Sequence, residues 1–202
     1  MKKIWSIVLG FVLCFGLVAC ASSKPAQEVQ PEIEVVSDYE ATIEVENYGT
    51  IKCRLLGEKA PETVKNFVKL CDEKFYDGNA LHRIIADFVI QGGMDAQENH
   101  DTITGEFEAN GIVNTISHKR GTISMARAMD YNGASTQFFI CQRDCSSSLD
   151  GQYAAFGYVT EGLDVVDAIV SQVAPKATDN NGTIEEKDRP IITSIRCTEI
   201  KE

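Results

Sequence analysis

The sequence predicts a mainly β fold: a closed, eight-stranded antiparallel barrel capped by two α-helices. Three observations lead there. Short runs of alternating apolar and polar residues recur from residue 39 onward, each placing one face inward. Only two stretches carry a helical apolar stripe. A mostly antiparallel sheet of eight strands removes its edges by closing on itself, and two helices suffice to cover the ends. No internal repeat is visible in the 202 residues.

In chain order, Ala41-Thr42-Ile43-Glu44-Val45-Glu46 alternates, Asn47-Tyr48-Gly49 supplies a turn, and Ile51, Cys53 and Leu55 resume the inward set. That is a hairpin. Pro61 suits a first helical position. Val64, Phe67, Val68 and Cys71 follow at i, i+3, i+4 and i+7, an amphipathic stripe. Leu163, Val166, Ile169 and Val170 form the second stripe. The remaining strands are expected at Leu81–Ile85, Phe88–Gln91, Thr122–Met125, Gln137–Cys141, Ala155–Val159 and Ile191–Cys197. Asp150-Gly151 marks a tight turn before Tyr153.

The N-terminus reads differently. Lys2 and Lys3 precede an apolar run from Ile4 to Val18, a charged region and apolar region of secretory type. The run ends in Leu17-Val18-Ala19-Cys20, which resembles a bacterial lipobox. The resemblance implies a signal peptide over residues 1–19 and lipidation of Cys20. The competing reading is an uncleaved anchor, but the run is shorter than the roughly 20 residues a span needs. Residues 21–31 are small, polar and interrupted by proline, so residues 20–38 read as a lipidated cysteine and flexible tether of roughly 25 Å root-mean-square reach. Residues 39–202 form the folded domain. It is expected at the cell membrane, lipid-anchored on the extracytoplasmic face.

Composition narrows the chemistry. Without residues 1–19 the chain carries 17 basic against 30 acidic residues and no basic block, which argues against nucleic-acid binding. Cys53, Cys71, Cys141, Cys145 and Cys197 lie beyond the lipobox, an odd number that cannot all pair internally. Cys53 and Cys141 fall in apolar runs and read as buried thiols. Cys141-x-x-x-Cys145 is an isolated pair and zinc wants about four ligands, so no metal is expected. No nucleophile-elbow, phosphate-loop or dinucleotide motif occurs, and no cofactor is expected.

Four motifs carry the functional reading. The first is Leu81-His82-Arg83-Ile84-Ile85-Ala86-Asp87-Phe88-Val89-Ile90-Gln91-Gly92-Gly93. The second is Gly121-Thr122-Ile123-Ser124-Met125-Ala126-Arg127 and the third Thr136-Gln137-Phe138-Phe139-Ile140. The fourth runs from Phe156-Gly157-Tyr158 to Val165-Val166. In this order, over about residues 39–200, they resemble the cyclophilin family of peptidyl-prolyl isomerases. The resemblance implies an eight-stranded barrel with two capping helices. It places Arg83 at the catalytic arginine and Phe88, Phe139 and Leu149 at the walls of the proline pocket. Val89 stands where methionine is usual, and Gln91 matches the glutamine beside the arginine. Ala126 and Arg127 match the strand that pairs with substrate, arginine replacing a common asparagine. Tyr153 replaces a frequent histidine. Ser148 falls where many members carry tryptophan or phenylalanine, which weakens one wall.

These residue types suit the reaction. Rotating an X-Pro bond breaks amide resonance against a barrier of about 20 kcal/mol. The twisted proline nitrogen regains its lone pair, and a donor aimed at it binds the transition state best. Arginine offers permanent charge and a rigid fork of donors. The expected partners are proline-containing polypeptides and, through Cys20, the membrane; the protein is expected to act as a monomer. The second reading is a chaperone-like module that holds proline segments with little turnover, favoured by Ser148.

Overall fold

In the computed structural model, which describes residues 36–97 and 100–201, the first alternating segment forms the expected hairpin. Strand β1 (Tyr39–Val45) pairs antiparallel with β2 (Gly49–Leu55). Ala41 faces Cys53 and Ile43 faces Ile51, all buried, while the residues between them are only partly covered. The remaining strands are β3 (Leu81–Ile84), β4 (Val89–Gly92), β5 (Thr122–Arg127), β6 (Ala134–Cys141), β7 (Ala155–Glu161) and β8 (Ile192–Glu199). They make one eight-stranded sheet in the order β3-β4-β6-β5-β7-β2-β1-β8, antiparallel throughout. Each expected strand is present, with ends shifted by a few residues, as terminal positions rarely declare themselves in a pattern.

Helix α1 (Pro61–Asp72) buries Val64, Phe67, Leu70 and Cys71. Phe67 packs its ring 5.2 Å from Tyr76 and Phe156 and 5.5 Å from Phe138. Its N-terminus has no local cap, since Ala60 carries no acceptor. The buried carboxylate of Glu106 takes that place, accepting from the amides of Glu62 at 3.1 Å and Thr63 at 2.8 Å. A negative charge there meets both the orphan amides and the helix dipole.

A single helical turn, α2 (Ser146–Leu149), was not expected from the sequence. It is too short for an apolar stripe, which is why the pattern missed it. The second expected long helix is α3 (Leu163–Val173), burying Val166, Ile169 and Val170. It starts after Gly162, whose φ of 89° suits glycine, and a Cβ there would collide with the Thr50 carbonyl.

Two expectations need correction. The barrel is not closed by a ladder. Edge strands β3 and β8 are joined where Ala80 bridges Ile191, with amide bonds from Leu81 to Pro190 and from Ile192 to Asn79. The rest of the β3 edge is covered by residues 182–184, through Ile84 to Gly182 and Ile184 to His82. These are short protections of an exposed edge. Residues 36–38 were read as the end of the tether, yet they pack on the domain. Val36 is buried, and Asp38 bonds the Gly57 amide at 3.0 Å and Arg54 Nε at 3.0 Å. The expected signal peptide, Cys20 and the expected tether up to residue 35 lie outside the described residues.

Candidate active site

The strands β3, β4, β6 and β5 present two apolar faces. Ile84, Ile90, Ile123, Met125, Phe138 and Ile140 point into the main core. The alternate residues Val89, Phe139 and Cys141 form a second cluster on the outer face with Cys145 and Leu149. Two-sided burial explains why the second half of β6, Phe138-Phe139-Ile140-Cys141, reads as a continuous apolar run rather than an alternating one.

On that outer face a pocket of about 390 Å³ is lined by Arg83, Phe88, Val89, Gln91, Ala126, Arg127, Phe139, Leu149 and Tyr153. These are the residues singled out in the sequence, and the fold brings all of them together. Cross-strand register does most of this: Arg83 faces Gln91, Gln91 faces Phe139, and Phe139 faces Ser124. Phe88 is delivered by the β3–β4 turn. Asp87 there adopts a φ of 59°, a conformation that Asp tolerates better than most residues, and is fixed by Gln142 and Arg143. Leu149 comes from α2. Tyr153 meets Phe139 edge-on at 5.9 Å.

Arg83 is held from two sides. Its Nη1 donates to Gln91 Oε1 at 2.9 Å and its Nε to the Asn181 carbonyl at 2.8 Å. Gln91 in turn donates to Gln137 Oε1 at 2.9 Å. Its guanidinium carbon lies 5.8 Å from the Phe88 ring centre. Burial pulls its pKa down from the ordinary arginine value, opposed by Tyr153 and Asp179. Among the described residues, no hydrogen bond occupies its Nη2.

Arg127 stands on β5 at the far side of Phe139. It lies 5.1 Å from the ring centre of Phe107, 4.9 Å from Tyr131 and 4.8 Å from Tyr153. Its Nη2 and Nε donate to the Gln152 carbonyl at 2.9 and 3.1 Å, which ties down the turn that carries Tyr153.

Ser148 is not a pocket residue. It is exposed, and its Oγ donates to the Cys145 carbonyl at 3.1 Å. The wall on that side is Leu149 with Tyr153. Cys141 and Cys145 lie behind the wall, and burial pushes both thiols up. Among the described residues, no three His, Cys, Asp or Glu side chains converge as a metal would need.

Sequence reasoning missed several supports. Gln137 shares the pocket face two residues before Phe139, which alternation alone could have flagged. Asn181 lies 98 positions from Arg83 and gave no local signal. Beneath Phe139, the His118 ring stacks at 6.0 Å, with Nδ1 2.8 Å from Asp150 Oδ1 and Nε2 3.0 Å from Ser124 Oγ. This has the connectivity of a hydrolytic triad, but Ser124 is fully buried, so the array braces the pocket floor.

The sequence profile of the cyclophilin type peptidyl-prolyl cis-trans isomerase/CLD family matches residues 41–197. The chain belongs to this family. Its curated relatives include peptidyl-prolyl cis-trans isomerase B of Escherichia coli (strain K12), 37% identical over 162 residues, covering 76% of this chain and 96% of that protein. A peptidyl-prolyl cis-trans isomerase of Helicobacter pylori (strain ATCC 700392 / 26695) is 42% identical over 144 residues, 68% of this chain and 84% of that protein. The fold resembles a crystal structure of a Cryptosporidium parvum cyclophilin type isomerase, with a TM-score of 0.67 at 24% identity, covering 81% of this chain and 99% of that one. The chain is thus a cyclophilin-type peptidyl-prolyl cis-trans isomerase.

Proposed function

We propose that the domain isomerises X-Pro bonds of exported proteins, with Arg83 donating to the proline nitrogen as the amide twists. The observation that carries this is the clamped guanidinium at the pocket edge: Gln91 and Asn181 fix it, and among the described residues Nη2 carries no hydrogen bond. Phe88, Val89, Phe139 and Leu149 would hold the proline ring by apolar contact. As the bond rotates, nitrogen conjugation is lost and a lone pair develops. A donor fixed beforehand meets that lone pair without reorganising, in a site where apolar walls strengthen the bond. Ala126 offers strand backbone beside the pocket for the substrate chain. The charge of arginine is permanent, so no proton transfer enters the step.

The holding-module reading rested on a missing wall at Ser148. With Ser148 facing away and Leu149 and Tyr153 forming that wall, no observation favours it. We further propose that Cys20 anchors the domain at the extracytoplasmic membrane face, on the strength of Leu17-Val18-Ala19-Cys20.

The mechanism is tested by Arg83→Ala, assayed on a short X-Pro peptide with folding checked by circular dichroism. Losing one transition-state donor should lower kcat/KM by about 10²–10³-fold. Arg83→Lys should restore only part, because an ammonium lacks the planar fork. A folded Arg83→Ala protein with wild-type turnover would show that the catalytic donor is elsewhere.

A further inference from the structure

The pocket contains two arginines and no acid. Its lining is Arg83 and Arg127 with apolar, aromatic and amide side chains. This is unusual for a chain carrying 30 acidic residues against 19 basic ones. Four other arginines on the domain are paired with an acid: Arg54 with Asp38, Arg120 with Asp167, Arg143 with Asp87 and Arg196 with Asp77. Arg127 is not. Among the described residues, all its hydrogen bonds run to backbone carbonyls, those of Gln152, Ala128 and Met129. Asp130, the acid closest to it along the chain, bonds the Asn132 amide within its own turn.

Carbonyls and ring faces orient a guanidinium without cancelling its charge. Phe107, Tyr131 and Tyr153 surround Arg127 at about the distance at which cation–π attraction operates. The side chain therefore keeps a full positive charge at a fixed place, half-buried, on the opposite side of Phe139 from Arg83. A peptide whose proline sits over Phe139 with its nitrogen toward Arg83 must run its neighbouring residues past one of these cations.

We propose that Arg127 makes the pocket select proline segments that carry a carboxylate beside the proline. This rests on the proline-pocket reading given above. An Asp or Glu next to the proline gains a permanent cation already held by the protein, so little ordering remains to be done on binding. A Lys or Arg in that position meets a like charge instead. Arg127 then determines specificity, while Arg83 meets the reacting nitrogen.

The test measures kcat/KM for two sets of tetrapeptides, with Glu, Gln, Ala or Lys placed before the proline in one set and after it in the other. At one of these positions the wild-type protein should prefer Glu over Gln by about fivefold, the upper range for a partly exposed charge pair. The preference should shrink as salt rises toward about 1 M, where the screening length falls to about 3 Å. In Arg127→Gln the Glu-to-Gln ratio should approach one. A purely structural role for Arg127 would slow all peptides alike and leave the ratio unchanged, which would overturn the proposal. So would wild-type indifference to Glu against Gln at both positions, a comparison that needs no variant. NMR titration with the same peptides reads the preference without turnover. Loss of turnover with retained Glu preference in binding would therefore sink the catalytic reading and leave this one standing.

Discussion

Arg83, Phe88, Gln91 and Phe139 lie in short local motifs, and cross-strand register then aligns them. That is why they were legible from sequence. The residues that hold them were not, because their partners are distant in the chain. His118 is 32 positions from Asp150, yet its ring is almost wholly buried against that carboxylate. Burial holds its pKa below the ordinary histidine value, although Asp150 pulls the other way. Burial likewise pulls Asp150 upward, but bonds from Ser117 and His118 outweigh it and hold the carboxylate low. The signs are the same for both groups: the unfolded chain binds the proton more tightly, so stability is lost on acidification. For His118 the loss begins as pH falls below about 6.5, and for Asp150 only below about 4. His82, also buried and also held low, shares the first window. We expect His118→Gln to cost about 1–3 kcal/mol at pH 7.5, as Asp150 and Ser124 lose their partner. We also expect it to shallow the decline between about pH 6.5 and 5 without abolishing it, given the ordinary histidine range. Urea denaturation of both proteins across that range checks both statements.

Among the elements, helix α1 shows best what pattern reading catches and what it misses. Its apolar stripe and Pro61 were plain in the sequence. Its cap was not, since Ala60 cannot serve and Glu106 arrives from 43 positions downstream of Thr63. The helix end depends on a single buried carboxylate in a loop. Replacing Glu106 by Ala leaves two amides without their acceptor and removes a favourable charge–dipole contact. The expected loss is about 2–4 kcal/mol, larger than for an ordinary surface cap. Glu106→Gln keeps one acceptor oxygen and should lose less. Thermal unfolding of the two variants tests the order. Equal, negligible losses would mean that α1 is held by Phe67 and its ring neighbours alone. Helix α2 illustrates the opposite limit: one turn contributes Leu149 to the pocket, but four residues are too few to declare a period.

At the scale of the whole molecule, strand number and antiparallel order followed from alternation and from the need to protect edges. The manner of closure did not, because an isolated bridge at Ala80 and a covering segment at 182–184 leave no periodic trace. The same segment brings Asn181 to Arg83, so edge protection and site support come from one stretch of chain. The anchoring proposal also belongs at this scale. Two or more acyl chains give stable attachment where one gives only reversible binding. In cells expressing Cys20→Ala the precursor should therefore stay unprocessed and incorporate no labelled acyl chain. Unchanged processing and acylation would show that Cys20 is not lipidated.

The pairing of β1 with β8 has a mechanical consequence. Tyr39 lies opposite Glu199, Val45 lies opposite Ile192, and the Ile200 amide still donates to Asp38 at 2.9 Å. Both ends of the folded domain therefore leave from the same end of one strand pair. Tension applied between residues 38 and 200 peels that pair open, loading its bonds one after another as in a zipper. Tension between residues 45 and 199 would load them together in shear. A chain held by one end and tugged through the other thus yields first along the β1–β8 seam, while the strands that carry Arg83, Phe139 and Arg127 are loaded only afterwards.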